Sequence, residues 1–222
     1  MATKTTYPDQ DALQRIGTTV RKRLEADPGI YRVPTDKAEI FAIGDFFTPA
    51  ECQRLIDMID TVARPSQLHD TAYVSKFRTS YSGNFDAWDP FVMSVSRRID
   101  DLLGMAPPCG ETIQGQRYLP GQEFKPHCDW FYPDQPYWPQ ERKRGGQRSW
   151  TAMAFLNPVE EGGQTHFVEI GAAIDPKPGV LLVWNNARPD GTPNTDTLHA
   201  GTPVIKGVKY VLTKWYRTRP FR

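Results

Sequence analysis

The chain has 222 residues, with 27 basic against 26 acidic side chains and a formal net charge of +1. That length suits one substantial domain, and the even balance leaves no electrostatic footprint for nucleic acid or an anionic membrane. No apolar run approaches a membrane span, the start MATKTTYPDQD has no apolar signal core, and Cys52, Cys109 and Cys128 form neither a disulfide framework nor a thiolate zinc site. A soluble protein of a reducing cytoplasm is the expectation.

Residues 12–26 carry Leu13, Ile16, Val20 and Leu24 at spacings of three or four, which predicts an amphipathic helix ended by Asp27-Pro-Gly. Residues 38–47 are short and apolar, as a strand is. Thr48, Pro49 and Glu51 make a capping-box start for a second helix, whose inner face is Cys52, Leu55, Ile56 and Ile59. A strand from Val74 runs into a turn with Gly83, Asn84, Phe85 and Trp88. Residues 81–90 read equally as a lid over a site and as a loop with its aromatics on the core. Asp89-Pro90 opens a third helix with Val92, Val95, Ile99, Leu102 and Leu103 inward and Gly104 as its stop. These helices are expected to pack on one face of a sheet.

From about residue 111 the pattern changes to short strands between Gly, Pro and Asn punctuation: 111–119, 149–156, 164–169, 180–184, 203–205 and 209–216. Such spacing indicates a sandwich or barrel, jelly-rolls included. No glycine-rich strand-to-helix turn of the phosphate or dinucleotide type occurs. The expected organisation is one domain over 1–222, with helical support over about 1–110 and a β core over about 111–217.

His127 and Asp129 stand two residues apart, the repeat that returns side chains to one face of extended chain. Together they can hold a divalent metal from one side, with His69, His166 or His199 as a third ligand. Two His and one carboxylate, leaving the opposite positions open, is the facial arrangement of non-haem Fe(II) oxygenases. In the last strand, period two puts Lys209, Val211, Thr213 and Trp215 on one face and Tyr210, Leu212, Lys214 and Tyr216 on the other. An inward Lys209 needs an anionic partner, none is near in sequence, and a ligand carboxylate would serve. His199 lies ten residues earlier, and a hairpin turning at Gly207 is expected to bring both to one interior. Tyr118 shares a face with Gln116 and Gln114, a polar row suited to a wet cavity. Taken singly, Tyr118 and Trp215 also suit a core, Thr165 an ordinary strand and Arg148 a charged surface. Cys128 is expected to turn from the two ligands. His166, next to Thr165, points to the opposite face as a structural histidine, and His69 sits in an Asp-rich turn as a solvated one.

His127-x-Asp129, His199 and Lys209, together with RYLPGQEFKPHCD, GGQRSWTAMAFLNPVEEGGQT, LLVWNNARPDG and HAGTPVIKGVKYVLTKW, resemble the prolyl 4-hydroxylase family of Fe(II)/2-oxoglutarate-dependent dioxygenases. The resemblance covers roughly residues 74–216, most strongly from 114. It implies a mainly β fold with flanking helices (α+β): a double-stranded β-helix, or jelly-roll, core buttressed by the N-terminal helices. It implies His127, Asp129 and His199 as iron ligands, Lys209 on the distal carboxylate of 2-oxoglutarate, and Tyr118 and Thr165 hydrogen-bonded to the same molecule. Arg148 and Trp215 match positions on the substrate side. The implied cofactors are Fe(II), 2-oxoglutarate and O2, with ascorbate as reductant, and the implied reaction is hydroxylation of a prolyl residue in a peptide or protein with release of succinate and CO2.

Two departures stand out. Phe124 occupies a position three residues before the first ligand where the family commonly has Tyr. This removes a hydroxyl from the substrate end while leaving co-substrate binding untouched. The 130–146 segment is long and rich in Tyr, Trp and Pro, a second possible lid. Both keep a free amino acid or other small molecule open as substrate. A non-catalytic 2-oxoglutarate or metal sensor is a third reading, against which the complete ligand set counts. Nucleic-acid demethylation is disfavoured by the neutral charge and by a Lys rather than an Arg anchor.

Overall fold

A computed structural model describes residues 7–66 and 77–222. His69 and the first residues of the strand expected from Val74 lie outside them. The helices are α1 (Gln10–Glu25), α2 (Pro49–Val62), α3 (Pro90–Leu103) and α4 (Trp138–Lys143). The first three stand where the sequence places them, for the reasons given there. Thr48 Oγ1 accepts from the Glu51 N–H at 3.2 Å while the Glu51 carboxylate accepts from the Thr48 N–H at 2.9 Å, closing the capping box. Asp89 caps α3 by accepting from the N–H groups of Phe91 and Val92, and Gly104 ends it at φ 65.

The strands are β1 (Tyr31–Arg32), β2 (Ile40–Ile43), β3 (Arg64–Pro65), β4 (Tyr81–Asn84), β5 (Gln114–Tyr118), β6 (Phe124–His127) and β7 (Arg148–Phe155), followed by β8 (Glu161–Gly162), β9 (Thr165–Phe167), β10 (Ala172–Ile174), β11 (Leu181–Asn185), β12 (His199–Gly201), β13 (Val204–Lys206) and β14 (Lys209–Arg217). They form a large sheet in the order β1-β2-β11-β7-β14-β5-β4-β3, a smaller sheet β10-β9-β12-β6 and a β13-β8 pair, with every pairing antiparallel. This is the mainly β sandwich with helical support that the sequence implies.

The large sheet separates two cores by strict alternation. On its outer face Leu212 and Tyr216 of β14, Trp150 and Ala152 of β7 and Val183 of β11 join Leu55, Ile59 and Ile99 of the helices in one apolar cluster. On its inner face Val211, Met153, Phe155, Leu182 and Trp184 pack with Phe167 of the smaller sheet. Gly115 is required on the outer face, because a Cβ there would stand 2.3 Å from Ile59 of α2. The two faces treat lysine differently. Lys214 points outward and is buried against Asp100 of α3, with Ser96 Oγ at 2.7 Å and Tyr216 also donating to Asp100. Lys209 points inward, and there the arrangement changes.

One expectation is corrected, and two segments with open readings take a definite place. His199 and Lys209 are not arms of one hairpin: β12 lies in the smaller sheet between β9 and β6, β13 pairs with β8, and β14 lies in the large sheet. The chain crosses from one layer to the other, so the two groups approach from opposite walls. The 81–90 segment is not a lid over the site, because Phe85 is in the outer core, Trp88 is 82% exposed and, within that segment, Asn84 alone lines the central cleft. The 130–146 segment folds into α4, with Trp130, Phe131 and Trp138 buried, and forms a wall rather than a loose flap.

Candidate active site

His127 ends β6 and sits directly opposite His199 of β12 in the strand register, with ring centroids 4.3 Å apart. Asp129 follows β6 and turns back between them: its carboxylate oxygens lie 3.9 Å from His127 Nε2 and 3.9 Å from His199 Nε2. Ligand atoms of the three residues lie within 4.8 Å of one another, the only such His/Cys/Asp/Glu cluster among the described residues. His166 takes no part. Each ring is oriented from behind, His127 Nδ1–H donating to the Lys125 carbonyl at 2.8 Å and His199 Nδ1–H to the Thr197 carbonyl at 2.9 Å. That leaves both Nε2 lone pairs facing the cluster, the tautomer a metal requires.

Electrostatics agree with the hydrogen bonds. Burial, aided by His199, pushes His127 down to about 3, so its ring is neutral. Burial opposes ionisation of Asp129, but His199, His127, Arg148 and the Thr151 hydroxyl outweigh it and hold the carboxyl below its ordinary range. Thr151 Oγ1 donates to Asp129 Oδ2 at 2.8 Å, and Asn186 Nδ2 donates to the same hydroxyl at 3.0 Å. The threonine has one proton and Asp129 can only accept it, so the chain Asn186 to Thr151 to Asp129 has a fixed direction. Two imidazoles with their Nε2 atoms turned inward and one carboxylate, converging on a buried point, fit a divalent cation with positions left open.

A narrow cavity of about 40 Å³ leads from these ligands to Lys209. Lys209 is 2% exposed, and its Nζ has Thr165 Oγ1 at 3.4 Å and the rings of Tyr118 and Phe155 at 5.5 and 5.7 Å. No carboxylate pairs with it among the described residues, and burial alone pushes its ammonium down to about 7. Tyr118 donates to Gln116 Oε1 at 2.9 Å and Gln116 to Thr213 Oγ1 at 3.1 Å, so two members of the polar row on β5 line this cavity while Gln114 lines the larger cleft beyond the ligands. An ammonium with no carboxylate partner among the described residues at one end, and a ligand set able to hold a divalent cation at the other, suit a small dianion once that cation is bound.

On the other side of the ligands opens a larger cleft of about 290 Å³. Phe124, Trp215, His127 and Asp129 belong to both spaces. Phe124 stacks on the His127 ring at 3.6 Å and an 18° tilt. Its ring therefore borders the narrow cavity as well as the larger cleft. Arg148 is not on the surface: it lies over the Trp215 ring at 4.2 Å and donates twice to Glu111, at 2.7 and 2.9 Å, with Asp129 at 3.9 Å. Burial opposes ionisation of Glu111, yet Arg148 and Arg217 hold its carboxyl below the ordinary range. Cys128 lines the cleft and packs near Trp130 and Leu13. Burial first, and Asp129 second, push its thiol up to about 11, so no thiolate stands beside the ligands.

A family model described as the 2OG-Fe(II) oxygenase superfamily matches residues 113–217. Probable prolyl 4-hydroxylase 8 of Arabidopsis thaliana is 30% identical over 206 residues, 82% of this chain and 69% of that protein. The chain belongs to the prolyl 4-hydroxylase-like 2OG-Fe(II) oxygenases. Another member of the family, prolyl 4-hydroxylase subunit alpha-1 of Rattus norvegicus, is 31% identical over 83% of this chain, which spans 35% of that longer protein. Among solved structures, the viral collagen prolyl hydroxylase of Paramecium bursaria Chlorella virus-1, described as its 2OG complex, aligns with a TM-score of 0.62 and 26% identity over 79% of this chain and 94% of that one.

Proposed function

We propose that this oxygenase hydroxylates a prolyl residue of a peptide or protein, with His127, Asp129 and His199 holding iron(II) and Lys209, Tyr118 and Thr165 receiving 2-oxoglutarate. The observation that carries the reading is the ammonium of Lys209, buried with no anionic partner among the described residues, at the far end of a cavity that begins at a ready-made facial triad. Bound there, the metal and 2-oxoglutarate supply oxidation of an unactivated C–H bond by dioxygen, with succinate and carbon dioxide released. Ascorbate as the reductant that restores the metal belongs to the same reading.

The chain's own work is placement and exclusion. Lys209 selects a diacid by charge and reach. Thr165, within 3.4 Å of the ammonium, offers a hydroxyl to the same carboxylate. Phe124, Trp184 and Met153 keep the cavity apolar between its two polar ends, which limits water and strengthens both anchors. Trp215 and Arg148, stacked at the mouth, orient the substrate beside the ligands. The test is incubation with iron(II), 2-oxoglutarate and a proline-rich peptide, followed by succinate determination and peptide mass spectrometry. A gain of 16 Da on proline (about one oxygen atom), lost in His199→Ala, is expected. Succinate release that no proline-containing peptide stimulates would refute the prolyl assignment.

A further inference from the structure

Along the cleft wall aromatic rings and guanidiniums alternate. Arg148 lies 4.2 Å from the Trp215 ring and 4.8 Å from Phe131, Arg217 lies 4.4 Å from Phe131 and 5.4 Å from Phe221, and Arg144 closes the file 5.0 Å from Phe221. All six side chains line the cleft. The file begins at the metal ligands, through the Arg148–Asp129 approach of 3.9 Å, and runs away from them.

Its charges do not cancel. Glu111 accepts from both Arg148 and Arg217, and the buried Glu141 accepts from Arg217. Arg144 has a share of Glu141 at 3.3 Å, and its side chain is 38% exposed. Arg78, over the Phe124 ring, bonds neutral groups among the described residues, Ser80 Oγ at 3.0 Å and Gln114 Oε1 at 3.1 Å. Among the described residues four arginines therefore face two glutamates. Asp129, Lys209, a divalent metal and a dianionic co-substrate sum to zero, so a loaded enzyme keeps about two uncompensated positive charges in its substrate cleft. Arg144 is the one held ready. Phe221 lies against its guanidinium and Glu141 Oε1 accepts from Nη1 at 3.3 Å, so the group is held at the cleft rather than trailing in solvent.

We infer that the substrate carries a carboxylate remote from the hydroxylated carbon, and that Arg144 is the residue that reads it. The inference rests on the peptide reading above and narrows it to acidic peptides. A side-chain carboxylate and a free C-terminus offer the same chemistry. A guanidinium with one face on a ring and its edge toward the cleft suits either.

The experiment uses the intact, metal-loaded enzyme and a proline-rich peptide set. One member carries Glu with an amidated C-terminus, one Gln with a free C-terminus, one Gln with an amide and one Lys with an amide, the variable residue being stepped along both sides of the target proline. KM for at least one carboxylate-bearing peptide should be about five- to tenfold below that of the amidated Gln peptide, the range of a partly desolvated charge-assisted hydrogen bond. Which of the two acidic peptides leads identifies the source. Arg144→Gln should bring the acidic and neutral peptides together with KM for 2-oxoglutarate unchanged, and Arg144→Glu should move the preference to Lys. Equal KM values across the set, or an acidic preference that survives Arg144→Gln, overturn the inference and leave prolyl hydroxylation standing. Co-substrate turnover with no peptide hydroxylated removes the peptide reading and the inference with it.

Discussion

Lys209→Met should make the unloaded protein more stable and deaf to 2-oxoglutarate. The magnitude follows from burial: an ammonium whose ordinary value is 10.5 is pushed down to about 7. In the unfolded chain the group stays protonated up to its ordinary value, so between about pH 7 and 10 unfolding takes up a proton. The wild-type protein therefore gains stability as pH rises through that window. At 1.36 kcal/mol per tenfold, the cost of burying Lys209 is about 4 kcal/mol at pH 7 and about 2 kcal/mol at pH 9. Methionine removes that cost at nearly constant volume, and at roughly 2–4 °C per kcal/mol for a chain of this size Tm should rise by about 10 °C near pH 7. Calorimetry of the metal-free proteins at pH 7 and 9 measures it. The gap should narrow at the higher pH, and 2-oxoglutarate added to the Mn(II)-loaded proteins should further stabilise the wild type alone. Lys214→Met, on the opposite face of the same strand, should do the reverse. It strips the buried Asp100 of its counter-charge and costs about 3–5 kcal/mol. If Lys209→Met is no more stable than the wild type, or is still stabilised by the diacid, the reasoning about the cavity is wrong.

The same ammonium sets a pH dependence for the co-substrate. Binding a carboxylate needs the protonated form, so affinity should be level below about pH 7 and fall toward tenfold per pH unit above it. Calorimetric titration in buffers of different ionisation enthalpy should register the proton taken up. Thr151→Val removes the hydroxyl that fixes Asp129 and should weaken Mn(II) binding by about 10- to 100-fold while the fold is kept, measured by electron paramagnetic resonance. Glu111→Gln leaves the buried Arg148 and Arg217 short of a counter-charge and should cost about 2–4 kcal/mol in denaturant unfolding.

The sequence exposes most where a periodicity and an anchor coincide. The β14 alternation separated Lys209 from Lys214 correctly, and the capping residues placed α2 and α3 to the residue. What escaped depends on contacts far apart in the chain. The Glu111 pairing that turns Arg148 from a surface charge into a wall of the cleft spans 37 residues, and Thr151 finds Asp129 across 22. Arg217 was within reach, since two residues beyond Trp215 it shares that face, but the strand was read as ending before it. The six residues of α4 are too few for a helical period, and that helix stands on the burial of Trp138 and Glu141. Phe221 and Arg144 have no local signal at all. The hairpin error has one cause: a turn residue such as Gly207 says that the chain reverses and not which sheet receives it.

His127, Asp129 and His199 ride on the smaller sheet and its edge, whereas Lys209 rides on the larger. At the site the two leaves meet through the packing of Trp184 on Phe167 and His199, and their polar links are the 3.4 Å approach of Lys209 to Thr165 and the bond from Thr151 to Asp129. A diacid lying from metal to ammonium, as proposed, would be a rung joining two rails, and loading would tie the two leaves together at the site. Preparations stripped of ion and diacid would be the ones that splay, and a protease would notice before an activity assay did.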